Sequence, residues 1–95
     1  MLKWKIGSER INLGVDPDNE MPIDAIEYYV VATDETGKQW MNHERYATKF
    51  EVINEVGEVV YHENRQARQM CQHMIDGFKL ESTVVVRGLK GWDEL

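Results

Sequence analysis

The sequence predicts an α+β fold: an antiparallel sheet of about four to five strands, a β-meander of two hairpins, with one helix of the C-terminal half packed on one face, in the order β-β-β-β-β-α-β. Three observations predict it. Short runs alternate apolar and polar residues and are separated by Gly-containing turns. From Ala67 to Phe78 the apolar spacing changes from two to three and four. A β-branched run, Thr83-Val84-Val85-Val86, follows that stripe.

Taken in order, Leu2, Trp4 and Ile6 alternate with Lys3 and Lys5 as a short strand. Gly7-Ser8 reads as a turn, and Arg10 to Leu13 as a second short strand. Residues 14–22 hold two prolines, a glycine and three acids, so they read as an acidic loop. Pro22 to Ala25 is either one turn of helix or the approach to the next strand. Ile26 to Thr33 is apolar on both faces, which suits a central strand. Asp34-Glu35-Thr36-Gly37 is a turn, and Gln39 to Tyr46 returns.

Residues 49–78 read as a hairpin-helix unit: Lys49–Glu55, a turn at Val56-Gly57, Glu58–Glu63, then a helix from Arg65 to Asp76. Asn64 serves as its N-cap and Gly77 as its stop. Ala67, Met70, Cys71, Met74, Ile75 and Phe78 form the apolar stripe. Leu80 to Arg87 is the last strand, and 88–95 a mobile tail in which Trp92 either tucks back or anchors a partner. A spacing of twenty relates Asp34-Glu35-Thr36-Gly37 to Asn54-Glu55-Val56-Gly57, and Trp40 to Val60. Composition shared by all strands is enough to produce it.

With 95 residues the chain is one domain, 1–95, with a thin core that a homodimer would reinforce. One cysteine, no apolar run of membrane length and no apolar leader point to a cytoplasmic protein with no membrane role. A net charge of −6 argues against direct nucleic-acid binding. Between Arg10 and Lys38 there is no basic residue, while Asp16, Asp18, Glu20, Asp24, Glu27, Asp34 and Glu35 lie there. Such a segment steers a basic partner. The partner-binding residues expected are Asp16, Asp18, Glu20, Asp24, Asp34 and Glu35, with Trp92 as an anchor.

The chemistry-bearing residues form no catalytic set, and no cofactor or metal is expected. Cys71 sits mid-helix on the apolar stripe, the setting of a buried thiol rather than a nucleophile. Cys71 and His73 are two apart on a helix and point to different sides; His43 and His62 lie in strands. Asp16, Asp18, Glu20, Asp24 and Glu27 match positions 1, 3, 5, 9 and 12 of a calcium loop. Met21 stands where that loop needs Gly, Pro22 follows it, and no helix precedes it. Arg65 and Arg68 share a helix face with Glu63 and Asp76 nearby, an ordinary solvated surface. A ligand or catalytic site between helix and sheet, using Tyr61, His62 and Arg68, is the alternative to a pure binding role; a structural subunit of a homo-oligomer is another.

The run from Phe50 to Tyr61, followed by Asn64-Arg65-Gln66-Ala67-Arg68, resembles the hairpin-plus-helix unit of small phage-encoded α+β proteins, some of them inhibitors of bacterial defence systems such as the anti-CRISPR proteins. It covers about a third of the chain. The resemblance implies a non-enzymatic inhibitor acting in the host cytoplasm, one strategy being to imitate the charge of DNA on a host factor. It carries no functional residues over.

Overall fold

The structure, a computed structural model, describes residues 2–80 and 90–95. The elements are β1 (Lys3–Val15), β2 (Pro22–Thr33), β3 (Gln39–Ala47), β4 (Lys49–Ile53), β5 (Val59–Glu63), α1 (Ala67–Leu80) and β6 (Trp92–Glu94). The fold is α+β, with a four-stranded antiparallel sheet ordered β1-β2-β3-β6 and a separate two-stranded sheet, β4-β5. The strand expected over Leu80–Arg87 lies almost wholly outside the described residues; Leu80 itself closes α1. No helix among the described residues is long and apolar enough to cross a membrane.

The first strand corrects the sequence reading. Gly7-Ser8 is no turn: β1 runs unbroken, pairing Lys3 with Thr33 through to Asn12 with Asp24. Gly7 stands opposite Tyr29, and a Cβ there would land on the Tyr29 ring. The glycine serves close approach rather than chain reversal. Pro22 to Ala25 likewise belongs to β2. Pro22 is its first residue, where its missing N–H costs no ladder bond.

The two hairpin turns share the same set of backbone N–H bonds. Asp34 N–H donates to Lys38 O (2.9 Å) and Gly37 N–H to Asp34 O (3.1 Å); Asp34 Oδ1 accepts from Thr36 N–H and Lys38 N–H. Twenty residues on, Asn54 N–H donates to Glu58 O (2.9 Å) and Gly57 N–H to Asn54 O (3.1 Å); Asn54 Oδ1 accepts from Val56 N–H and Glu58 N–H. Gly37 and Gly57 take φ of 87° and 83°, the left-handed position that ends this three-residue loop. The pairing matches too: Thr33–Gln39, Ala32–Trp40 and Val31–Met41 against Ile53–Val59, Val52–Val60 and Glu51–Tyr61. The correspondence stops where β3 bulges between the Val31 and Tyr29 pairs, with Asn42 Oδ1 accepting from Glu44 N–H (2.9 Å).

The helix does not cover the hairpin that precedes it. It lies on the four-stranded sheet, where Cys71, Met74, Ile75 and Phe78 pack with Trp4, Ile6, Tyr28, Val30 and Tyr46. Nor does it stop at Gly77: it continues to Leu80. That extra turn brings Phe78 onto Trp4, stacked at 5.2 Å, and beside Trp92 at 5.5 Å. Asn64 Oδ1 accepts from Gln66 N–H (3.1 Å) and caps the entry as expected. Residues 92–94, expected in a mobile tail, form β6 on the β3 edge, pairing Trp40–Glu94, Met41–Asp93 and Asn42–Trp92. Burial of the Trp92 ring against Trp4 and Phe78 holds them there.

Replacing Gly7 with Ala forces its methyl into the Tyr29 ring. We expect a loss of about 1–3 kcal/mol in urea unfolding, partly recovered when Tyr29→Ala is added. An unchanged midpoint for Gly7→Ala alone would contradict the continuous strand.

Candidate interaction surface at the acidic end

The hairpin β4-β5 leaves and returns at one point. Thr48 N–H donates to Ile26 O (2.9 Å), Ile26 N–H donates to Thr48 Oγ1 (3.0 Å), and Asn64 N–H closes the excursion on Thr48 O (2.8 Å). From that level the hairpin and the first residues of β2 run side by side. Tyr61 reaches the field of Asp16; its phenol is held above its usual range by loss of solvent, by the Glu51 carboxylate and, least, by Asp16. The chain is correspondingly long and narrow, 50 × 23 × 21 Å, with a radius of gyration of 16.5 Å where a compact chain of this length needs about 12 Å.

This end gathers carboxylates and apolar side chains together. The β1–β2 turn carries Asp16, Asp18 and Glu20, with Asp24 just inside β2. The hairpin adds Glu51, Glu55, Glu58 and Glu63 against Lys49 alone. Among them stand Phe50 (44% exposed), Ile53 (72%), Val56 (76%) and Val59 (53%), with Val15, Met21 and Ile26 also exposed. Single exposed aliphatics are ordinary; several of them among carboxylates on one short hairpin make this end the candidate interaction surface. Charge patterning alone misses these apolar residues. Their signal is a hairpin with apolar residues on both faces, Ile53 and Val59 on one and Phe50, Val52 and Val60 on the other, yet only five residues per strand.

The six expected acids divide between two ends. Asp34 and Glu35 lie in the β2–β3 turn, twelve residues of β2 away from the β1–β2 turn, roughly 35–40 Å along the strand. Asp34 also spends its carboxylate inside its own turn, accepting from Thr36 Oγ1 (2.7 Å) as well as from two backbone N–H groups. Trp92 belongs to that far end and packs on Trp4 and Phe78. Asp16, Asp18, Glu20 and Asp24 do stay together. Asp16 Oδ1 accepts from Asp18 N–H (2.8 Å), and Asp24 Oδ1 accepts from Asn12 Nδ2 (3.2 Å).

Glu20 is the one described non-glycine residue with positive φ, at 57°. Its N–H donates to Asp16 O (2.9 Å) just before the turn closes, the place that Gly37 and Gly57 take in the other two turns. A left-handed L-residue costs about 1–2 kcal/mol. Strain kept where glycine is the cheaper choice points to the side chain as the reason.

Other chemistry-bearing residues are occupied elsewhere. Arg45 bridges Glu9 (2.9 Å) and Glu27 (2.7 Å) and lies 4.6 Å over the Tyr29 ring, on the sheet face opposite the helix; both carboxylates raise its pKa. Glu27 is thereby removed from the calcium-loop pattern, and no three His, Cys, Asp or Glu side chains converge among the described residues. His43 Nε2 pairs with Asp93 Oδ2 at 2.7 Å, and His62 lies 5.8 Å from the Phe50 ring. Tyr61 and His62 are successive residues of β5 and point to opposite faces of the two-stranded sheet, while α1 packs on the four-stranded sheet. The space between α1 and that larger sheet holds Val30, Cys71 and Ile75.

Cys71 is fully buried, and burial pushes its thiol up, opposed weakly by Arg68. Tyr46 is raised by its hydrogen bond to Glu44 and by burial. No protein-family model, curated protein or solved structure matches the chain.

Because the folded thiol titrates above the unfolded one, its contribution to stability is complete below the unfolded value of about 8.5 and falls as pH rises toward the folded value, where the unfolded chain gives up its proton first. Urea unfolding between pH 7 and pH 9.5 should show this decline, and Cys71→Ala should flatten it. Native protein should also resist iodoacetamide until denatured; rapid native alkylation would contradict the burial.

Proposed function

We propose that the protein is a non-enzymatic binding protein that docks its acidic end on a basic surface of another protein. The observation that carries this reading is the coincidence, at one end, of the Asp16–Asp24 carboxylates with the exposed apolar residues of the β4-β5 hairpin. Carboxylates at such a surface speed encounter and select a basic partner, while the apolar groups supply area to bury. The left-handed Glu20 supports it, as a side chain retained against local strain. With the resemblance of residues 50–68 to phage-encoded inhibitors, the reading extends to a host factor, a nucleic-acid-binding or defence protein whose basic face the acidic end occludes.

The test is affinity capture from a bacterial lysate at low and high salt, comparing the native chain with Asp16→Asn/Asp18→Asn/Asp24→Asn and with Glu35→Gln from the far end. The native chain and Glu35→Gln should retain the same basic protein at low salt and release it at high salt, while the triple variant retains about tenfold less. Equal capture by the triple variant would contradict the assignment. Glu20→Gly adds a second check: relief of the turn should raise stability by about 1 kcal/mol while capture weakens.

A further inference from the structure

We propose that the outer edge of β5 is a strand-addition site for a basic extended segment of the partner. This rests on the acidic-end reading above and specifies how the surface is used.

The internal repeat shows which groups are involved. In β3 the backbone groups that face away from β2 are used by β6: Gln39 O accepts from Leu95 N–H (2.9 Å), and His43 N–H donates to Gly91 O (2.8 Å). Outward groups alternate along a strand, so residues 39, 41 and 43 form that edge. The same turn, twenty residues on, sets the same phase in β5. Asn54 N–H bonds Glu58 O inward, and the outward groups belong to Val59, Tyr61 and Glu63. In the first hairpin β1 pairs with β2 and β6 with β3. In the second, the sheet is two-stranded, and no described strand pairs with β5 on its far side.

Three of the devices that keep exposed strands apart are missing from β5 itself. β5 is Val-Val-Tyr-His-Glu, with no proline, no lysine and no irregularity in its register with β4. The residues matching buried Val30 and Ala32 are Phe50, which is exposed, and Val52, which is half-buried. An added strand would extend the apolar face that they and Val60 begin.

Charge selects the occupant. Glu58 and Glu63 flank the edge, Glu51 and Glu55 stand across the hairpin, and Lys49 is the one base. A segment alternating Lys or Arg with aliphatic residues satisfies both requirements: main-chain bonds to the edge, and cations against the carboxylates. A second copy would bring four glutamates against four.

The experiment titrates the full-length 15N-labelled protein with three synthetic peptides: an extended Lys-Val repeat, the matching Glu-Val repeat, and a helical Lys-Leu-Ala peptide of equal positive charge. The Lys-Val peptide should shift the Val59, Tyr61 and Glu63 amides and slow their exchange about tenfold, and the other two should not. Tyr61→Pro, which removes an outward donor, should abolish the effect. A Lys-Val peptide N-methylated along one edge should bind native protein no better than the Glu-Val peptide, which keeps the test valid if the proline variant misfolds. Lys-Val binding at Asp16–Asp24 with the β5 amides unmoved would overturn strand addition and leave the acidic-end reading standing. No binding of either cationic peptide would overturn both. Concentration-dependent β5 shifts without peptide would assign the edge to a second copy and overturn the proposal.

Discussion

Three aromatic rings, Trp4 of β1, Phe78 of α1 and Trp92 of β6, meet at centroid distances of 5.2 to 6.0 Å. They come from the beginning, the late middle and the end of the chain. Each large ring removes much apolar area from water, and the three together add ring-to-ring contacts beyond that area. Their meeting explains why the helix passes through Gly77, why the last strand takes the β3 edge, and why α1 lies on the large sheet rather than on the hairpin beside it in sequence. A helix has one apolar stripe; once it is spent on Val30 and its neighbours, nothing of it remains for Phe50 or Ile53.

The result is a molecule with two unlike ends. At one, a central strand buried on both faces, Val30 on one side and Val31 on the other, sits under the helix and between β1 and β3. At the other, a long two-stranded ribbon and a short hairpin project together, acidic and apolar at once. The hairpin begins and ends at the Thr48–Asn64 contact, so the main sheet and its helix close without it. The buried core and the proposed docking surface thus lie on separate parts of the chain. That arrangement lets the hairpin keep exposed valines, and the β1–β2 turn a left-handed glutamate, without loss from the core.

Much of the fold is legible in the sequence where the determinant is local. Asp34 and Asn54 each stand three residues before a glycine, and both turns form as written, because the side chain, the turn and the left-handed glycine all lie within five residues. The helix is legible from its stripe and from Asn64. What is not legible depends on partners distant in sequence. Gly7 reads as a turn until Tyr29 is seen to lie across it. The end of the helix reads as Gly77 until Phe78 is seen to stack on Trp4. Three residues of β6 carry too little pattern to be read at all. The candidate surface is half legible: Asp16, Asp18, Glu20 and Asp24 are neighbours in sequence and in space, while a twelve-residue strand carries Asp34 and Glu35 to the far end. The apolar half of the surface escapes because a strand pattern does not say whether a face is covered.

The most direct test of the account is native-state hydrogen exchange, residue by residue, as a function of low denaturant. Amides of Val30, Val31 and Ala32 in β2 and of Cys71 in α1 should exchange only with global unfolding. The inward-bonded amides of Val52, Val60 and His62 should exchange through a local opening of much lower free energy, nearly independent of denaturant. Hairpin amides that share the free energy and denaturant dependence of β2 would mean that the hairpin belongs to the folding core, and the division of the molecule into a stable sheet-and-helix end and a separately opening hairpin would be wrong.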